Sequence, residues 1–116
     1  MEQIKKTAEK VLKKCLGAKP GEVLLIVTDN TCGDIAGALY ESGKDLGCEA
    51  VMMTMAELKV NGQEPPEIVA QAMKSADIVI CPTAKSLTHT NARIEAVKNG
   101  ARVATMPGIT ADMFLN

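Results

Sequence analysis

The sequence predicts a three-layer α/β protein in which helices cover both faces of a doubly wound, mostly parallel, four-stranded sheet. Three observations predict this fold. Segments with the periodicity of amphipathic helices alternate with short apolar segments, turn residues separate the two kinds of segment, and the first apolar segment, 23–28, has no polar face. A strand without a polar face is typical of the centre of a parallel sheet, because helices pack against both of its sides.

The first half of the chain contains two predicted helices and two predicted strands. The first helix ends at Gly17, which is typical of a C-terminal cap. Its apolar positions are Ile4, Ala8, Val11, Leu12 and Cys15. The turn sequence Lys19-Pro20-Gly21-Glu22 then leads into the strand 23–28. The second helix ends at Gly47 and precedes a strand over 50–54, and its apolar positions are Ile35, Ala36, Leu39, Tyr40 and Leu46.

The second half repeats the alternation. Glu64-Pro65-Pro66-Glu67 predicts the start of the third helix, because proline is tolerated in the first turn of a helix. The apolar stripe of that helix consists of Ile68, Val69, Ala72, Met73 and Ala76. A strand over 77–81, a helix over 91–98 and a strand over 102–106 follow, and a fifth helix is expected to begin at Thr110 and to be cut off at Asn116.

The expected strand order is 2-1-3-4, as in flavodoxin-like or Rossmann-like sheets, with the whole chain 1–116 forming one domain. This order places the topological switch between the first and third strands. Ligands of open α/β sheets bind beyond the carboxyl ends of the strands at such a switch. The loops that meet there are 29–33 and 82–90, so a functional site is expected between them.

Composition excludes several classes of ligand. The chain has 13 Lys and Arg against 14 Asp and Glu, which leaves no basic face for nucleic acid. Aromatic residues make up only 2%, so stacking platforms for bases or flavins are not expected. The four cysteines lie far apart, which favours a reduced, cytoplasmic chain, and no targeting signal or apolar segment of the ~20 residues needed to span a membrane is found.

Polar side chains are concentrated in the loop after the third strand, which contains the only histidine of the chain. The candidate cleft-lining or binding residues are Asp29, Thr83, Lys85, Ser86, Thr88, His89, Thr90 and Arg93. Because a helix follows this loop, its free N–H groups and positive dipole end favour an anion such as carboxylate or phosphate. A stand-alone module that binds such a small anion with the loop 83–90 is therefore one functional hypothesis. The alternative is structural: Thr88 or Thr90 caps the helix, which contributes about 1 kcal/mol, and the other groups are solvated.

Other chemistries lack the residues they need. Ser86, His89 and Asp29 suggest a catalytic trio, but the chain has no G-x-S-x-G nucleophile elbow. It also lacks a G-x-G-x-x-G dinucleotide fingerprint. One histidine without surrounding acids does not assemble a two-metal centre, and Glu64 with Glu67 is interpreted as the acidic start of a helix. A receiver-like domain is disfavoured, because Cys81-Pro82 stands where its phosphate-accepting aspartate is needed.

Four segments together resemble a known family. They are 19–28, the Glu64-Pro65-Pro66-Glu67 sequence, 82–93 and 101–110, of which the last two are the most specific. These motifs are similar to the N-terminal domain of the thermophilic metallo-aminopeptidases, the leucyl aminopeptidase family of the aminopeptidase T and aminopeptidase S type. The resemblance covers nearly the whole chain.

The resemblance implies a cytoplasmic, homodimeric exopeptidase that removes N-terminal residues such as leucine from peptides. It implies two divalent metal ions, Zn, Co or Mn, held by Glu, His, Asp and Tyr residues of a C-terminal domain that this sequence does not include. No catalytic or metal-binding residue is therefore carried over to this chain, and we expect it to be inactive alone. The loop 83–90 is expected to face the cleft between the domains, and an exposed apolar face over 106–115 is expected to favour self-association.

Overall fold

A computed structural model describes residues 2–115, which form a single parallel sheet flanked by helices. The strands are β1 (Val23–Thr28), β2 (Glu49–Thr54), β3 (Ile78–Thr83) and β4 (Arg102–Pro107). The helices are α1 (Glu2–Lys10), α2 (Gly33–Asp45), α3 (Glu67–Ser75), α4 (Asn91–Lys98) and α5 (Ala111–Leu115), and a π-helical segment, Val11–Cys15, continues α1. The helices within residues 2–115 are too short or too polar to cross a bilayer.

The strand order is β2-β1-β3-β4 and all three strand pairs are parallel, which confirms the predicted fold and order. The strand 23–28 and the helix 91–98 have the predicted bounds. Alternate residues of the central strands point to opposite faces: Leu24 and Ile26 pack with α1 and α2, whereas Leu25 and Val27 pack with α3 and α4. The core is thus divided by the sheet into two apolar layers, as the absence of a polar face on 23–28 predicts.

The third strand differs from its predicted range 77–81. It begins at Ile78 and continues through Pro82 and Thr83, residues expected in the loop. The pairing with β1 ends at Ile26 and Ile80, because Pro82 has no N–H with which to continue that ladder. Pairing with β4 on the other side continues to Thr83 and Pro107, so proline is tolerated here.

The third helix begins at Glu67 rather than Glu64. Pro66 has an extended backbone with ψ 149° and precedes the first helical turn, so Glu64 and Pro65 lie in the preceding loop. The first helix does extend to Cys15 as predicted, but its last turn widens into the π-helical segment. Gly17 has φ 61°, a left-handed conformation that glycine adopts without steric cost, and this ends the helix as expected.

Gly43 allows α2 to approach β1 closely. A Cβ atom at this position would collide with Cδ2 of Leu24, which is fully buried in the core. We expect Gly43→Ala to lower the free energy of unfolding by about 1–3 kcal/mol through overpacking, measured by urea denaturation. Gly37→Ala is the matched control on the same helix, because its Cβ would contact nothing within 4 Å, and it should stabilise by about 0.5–1 kcal/mol. Equal effects of the two substitutions would contradict the close approach.

Candidate functional site

The two loops predicted to form the site do meet at the carboxyl edge of the sheet. Asp29 follows β1 and Ala84 follows β3, and the Asp29 Oδ2 atom accepts a hydrogen bond of 2.8 Å from the Ala84 backbone N–H. The Thr28 hydroxyl adds a second link, since it donates to the Pro82 carbonyl over 2.8 Å. Adjacent strands β1 and β3 therefore hold the loops 29–33 and 84–90 side by side.

Asp29 is a structural link rather than an open ligand. Its residue is only 1% exposed, and its Oδ1 atom accepts hydrogen bonds from both the backbone N–H and the hydroxyl of Thr31. Burial on its own raises the pKa of this carboxyl, but the hydrogen bonds from Ala84 and Thr31 outweigh burial and hold the pKa below its ordinary value. The side chain is thus an anion whose oxygens are used within the protein.

The hydroxyl groups of the loop after β3 bond mainly to one another and to the backbone. The Thr83 hydroxyl donates to the Lys85 carbonyl over 2.6 Å. Ser86 Oγ accepts from the Thr88 N–H and donates to Thr88 Oγ1, which is also 2.7 Å from Thr105 Oγ1 on β4. These bonds fix the loop in one conformation and join it to the neighbouring strand.

The N-terminus of α4, expected to attract an anion, already holds one from the chain itself. Both carboxylate oxygens of Glu64 accept backbone hydrogen bonds there, from Asn91 N–H at 2.7 Å and from Ala92 N–H at 3.1 Å. Thr90 is the N-cap residue, and its hydroxyl accepts from the Arg93 N–H. The capping role proposed for Thr90 is therefore present, and Glu64, expected at the start of α3, stabilises the start of α4 instead.

The three basic side chains of the region do not share a partner. Arg93 turns back on its own loop, where its Nε–H donates to the Thr88 carbonyl. Lys85 is half-buried and His89 is exposed, and neither side chain makes a hydrogen bond or ion pair within residues 2–115. Ser86 donates to Thr88 and Asp29 bonds to Thr31 and Ala84, so Ser86, His89 and Asp29 are not assembled as a catalytic trio.

Sequence reasoning missed a cavity of about 470 Å³ beside the predicted loops. It lies between the loop after β1 and the loop after β4, and its lining residues include Asn30, Thr31, Cys32, Ile109 and Thr110. The Cys32 thiol borders it and is 3.7 Å from the Ile109 carbonyl. The sequence placed one wall, 29–33, at the topological switch, but nothing in it placed 109–111 beside that wall, since these residues follow the edge strand β4.

The other cysteines differ in exposure, and Cys15, which was counted among the apolar positions of the first predicted helix, is not buried. Cys48 and Cys81 are buried in the core, whereas Cys15 is exposed. Burial raises the pKa of the Cys81 thiol to about 12, so it stays protonated at neutral pH and is not a nucleophile. Within the described part of the chain, no three His, Cys, Asp or Glu side chains are grouped closely enough to hold a metal ion.

We expect Glu64→Ala to lower the free energy of unfolding by about 1–2 kcal/mol, because the N–H groups of Asn91 and Ala92 lose their acceptor. Chemical denaturation measures this change, and Glu57→Ala, an exposed glutamate in the same loop, is the control. Inorganic phosphate should raise the Tm of Glu64→Ala but not that of the wild type, because only the variant has a vacant helix start. Equal stabilisation of both proteins by phosphate would show that the anion binds somewhere other than the start of α4.

Comparison with known proteins shows the fold and no more. No protein-family profile matches the chain, and no curated protein sequence matches it. Among solved structures it is similar to 2,5-dihydroxypyridine dioxygenase from Pseudomonas putida KT2440, with a TM-score of 0.77 and 14% identity over 91% of this chain and 34% of that one. It is also similar to alanine–glyoxylate aminotransferase from Nostoc sp., with a TM-score of 0.55 and 13% identity over 90% of this chain and 26% of that one.

The chain thus spans about a third of the dioxygenase and about a quarter of the aminotransferase. At 13% and 14% identity, neither likeness carries an activity over to this protein. What the two similarities show is that residues 2–115 have the α/β fold that also occurs within larger chains.

Proposed function

We propose that this chain is the N-terminal α/β domain of a cytoplasmic metallo-aminopeptidase, with its carboxyl edge forming one wall of the peptide-binding cleft. In this proposal the two metal ions and their ligands belong to a C-terminal domain. The present chain contributes no catalytic group and is inactive alone. Its partners are that domain, the peptide substrate and a second subunit.

The observation that carries the proposal is the position of the two most specific family-like segments. Residues 82–93 and 101–110 come together at the carboxyl edge, where Thr88 Oγ1 contacts Thr105 Oγ1 at 2.7 Å and the Gly108 N–H donates to the Thr83 carbonyl over 2.8 Å. Segments that resemble one family in sequence thus form one continuous surface in space. Open α/β sheets bind ligands at this edge.

The hydrogen bonds of this edge support a positioning role. Asp29, Thr83, Ser86, Thr88 and Thr90 all use their side chains to fix the loops, whereas Lys85 and His89 extend from the fixed loop without a partner in the described residues. A rigid loop that presents one cation and one imidazole suits contact with the carboxylates of a facing domain or with a peptide carboxyl group. The similarity to 34% of a longer enzyme chain agrees with the role of a domain within a larger protein.

A fusion assay tests the proposal. Hydrolysis of leucyl p-nitroanilide with Co²⁺, Mn²⁺ or Zn²⁺ is measured for this chain, for the catalytic domain of a thermophilic metallo-aminopeptidase, and for this chain joined to that domain. We expect no EDTA-sensitive turnover by the chain alone and faster turnover by the fusion than by the catalytic domain. Turnover by the chain alone would contradict the proposal. So would a folded, metal-loaded fusion that is no faster than the catalytic domain.

A further inference from the structure

We propose that a second copy of this chain binds at the open edge of β2. The two β2 strands pair in antiparallel orientation about a two-fold axis at Met52, so that two four-stranded sheets become one continuous sheet. This inference rests on the edge strand alone and does not depend on the aminopeptidase proposal.

The outer side of β2 has backbone groups available for pairing. β2 is the end strand of the sheet, and the N–H groups of Glu49 and Met55 donate to the Glu22 and Thr28 carbonyls on the β1 side. Alternate residues of a strand bond to alternate sides, so Ala50, Met52 and Thr54 direct their N–H and C=O groups away from β1. Three outward residues in register form a template for another strand.

The side chains of β2 do not protect this edge. Val51 is 44% exposed and Met52 is 41% exposed, on opposite faces of the sheet. Natural edge strands are usually protected by lysine, proline, a bulge or a central charge. β2 contains none of these, and its single charged residue, Glu49, stands at its first position.

The opposite edge of the same sheet shows the contrast. The N–H groups of Arg102 and Gly108 donate to the β3 side, so the outward residues of β4 are Val103, Thr105 and Pro107. Pro107 has no N–H, and the Thr105 hydroxyl is engaged with Thr88. No large apolar side chain of β4 is among the exposed ones. The β4 edge therefore offers a partner strand two outward N–H groups and no large exposed apolar side chain, whereas the β2 edge offers three outward N–H groups and two such side chains.

The strand β2 is complementary to itself. Antiparallel pairing about Met52 places Met52 opposite its symmetry mate and Ala50 opposite Thr54 of the second copy, so every outward N–H meets an outward carbonyl. Glu49 then faces Met55 of the copy and not a second carboxylate. The pairing also removes Val51 and Met52 from water on both chains. A second copy thus satisfies the hydrogen bonds, the charge pattern and the exposed apolar surface together.

Light scattering coupled to gel filtration tests the proposal, with a mass of twice 12.3 kDa expected for the wild type as concentration rises. Met52→Pro should give a monomer with an unchanged circular dichroism spectrum, because the lost N–H points away from β1 and no bond to β1 is removed. Val103→Pro makes the same change on β4 and should leave the dimer intact. If Met52→Pro does not fold, Met52→Lys tests the proposal instead. It places two like charges at the axis, so it should also give a monomer.

A second experiment fixes the register. Met52→Cys in a Cys15→Ser background should form a disulfide-linked dimer under mild oxidation, because the two positions face each other across the axis. A wild type that stays monomeric at every concentration would overturn the proposal. A dimer that survives in folded Met52→Pro and Met52→Lys would also overturn it. Loss of the dimer in Met113→Lys alone would assign association to the exposed side of α5 instead, the surface expected from the sequence.

Discussion

Asp29→Ala is expected to lower the free energy of unfolding by about 2–4 kcal/mol. The Ala84 and Thr31 N–H groups and the Thr31 hydroxyl all lose their acceptor, and each partly buried donor left unpaired costs roughly 1–3 kcal/mol. Urea denaturation at neutral pH measures the change. Asp45→Ala is the control, because Asp45 forms an exposed ion pair with Lys5, and such pairs contribute about 0–1 kcal/mol.

The pH dependence of the free energy of unfolding distinguishes the contribution of the Asp29 charge from that of the size of its side chain. The pKa of the folded carboxyl is held below its ordinary value, so the stabilisation is present above the unfolded pKa of about 3.9 and is lost as pH falls through the folded pKa. Asp29→Asn removes this titration and keeps the size of the side chain. The difference in stability between wild type and Asp29→Asn should therefore be largest near neutral pH and shrink in acid. A difference that stays constant across this range would show that ionisation of Asp29 contributes nothing.

The fold could be predicted because its helices and strands are marked by residues that lie within them or next to them in sequence. The strand 23–28 is apolar at every position except Thr28, and the helix 91–98 follows a threonine cap, so both were predicted with their observed bounds. Strand β3 was predicted too short because proline normally ends a strand. Pro82 continues it here because the proline nitrogen faces the side on which pairing has ended.

The contacts that build the site were harder to predict because they are distant in sequence. Glu64 caps a helix that begins 27 residues later, and Asp29 binds an N–H group 55 residues away. Neither separation in sequence corresponds to the repeat of a helix or a strand. The sequence did place Asp29, Thr83, Ser86, Thr88 and Thr90 at the correct edge, because the strand order determines which loops meet. It did not show that these side chains bond to each other and to the backbone.

The expected apolar face over 106–115 is only partly present. Met106 and Ile109 pack against the core and Phe114 is buried, because α5 folds back onto α1 and α2. Only Met113 and Leu115 of that segment are exposed large apolar residues, at 58% and 38%. Amphipathic spacing in a five-residue helix was too short a signal to distinguish the buried side from the exposed one.

Leu87 anchors the polar loop to the core, and Leu87→Ala is expected to lower the free energy of unfolding by about 2–5 kcal/mol. The side chain is fully buried in the apolar layer beneath α3 and α4, although both neighbours in sequence are polar. Its carbonyl accepts hydrogen bonds from the hydroxyl and the N–H of Thr90, so the same residue supports the cap of α4. Ile94→Ala, an exposed apolar residue on α4, should change stability by no more than about 0.5 kcal/mol.

Hydrogen exchange distinguishes loss of this anchor from a general loss of stability. If Leu87 holds the loop, Leu87→Ala should accelerate exchange at the Thr88 and Gly62 N–H groups, which bond to Ser86, by a larger factor than at the core strand β1. Uniform acceleration along the chain would instead mean that the loop and the sheet open together. A loop that opens separately would move Lys85 and His89 relative to any facing domain, because both residues belong to the loop that Leu87 anchors to the core. The rigidity that the proposed cleft wall requires would then depend on Leu87 as well as on Asp29.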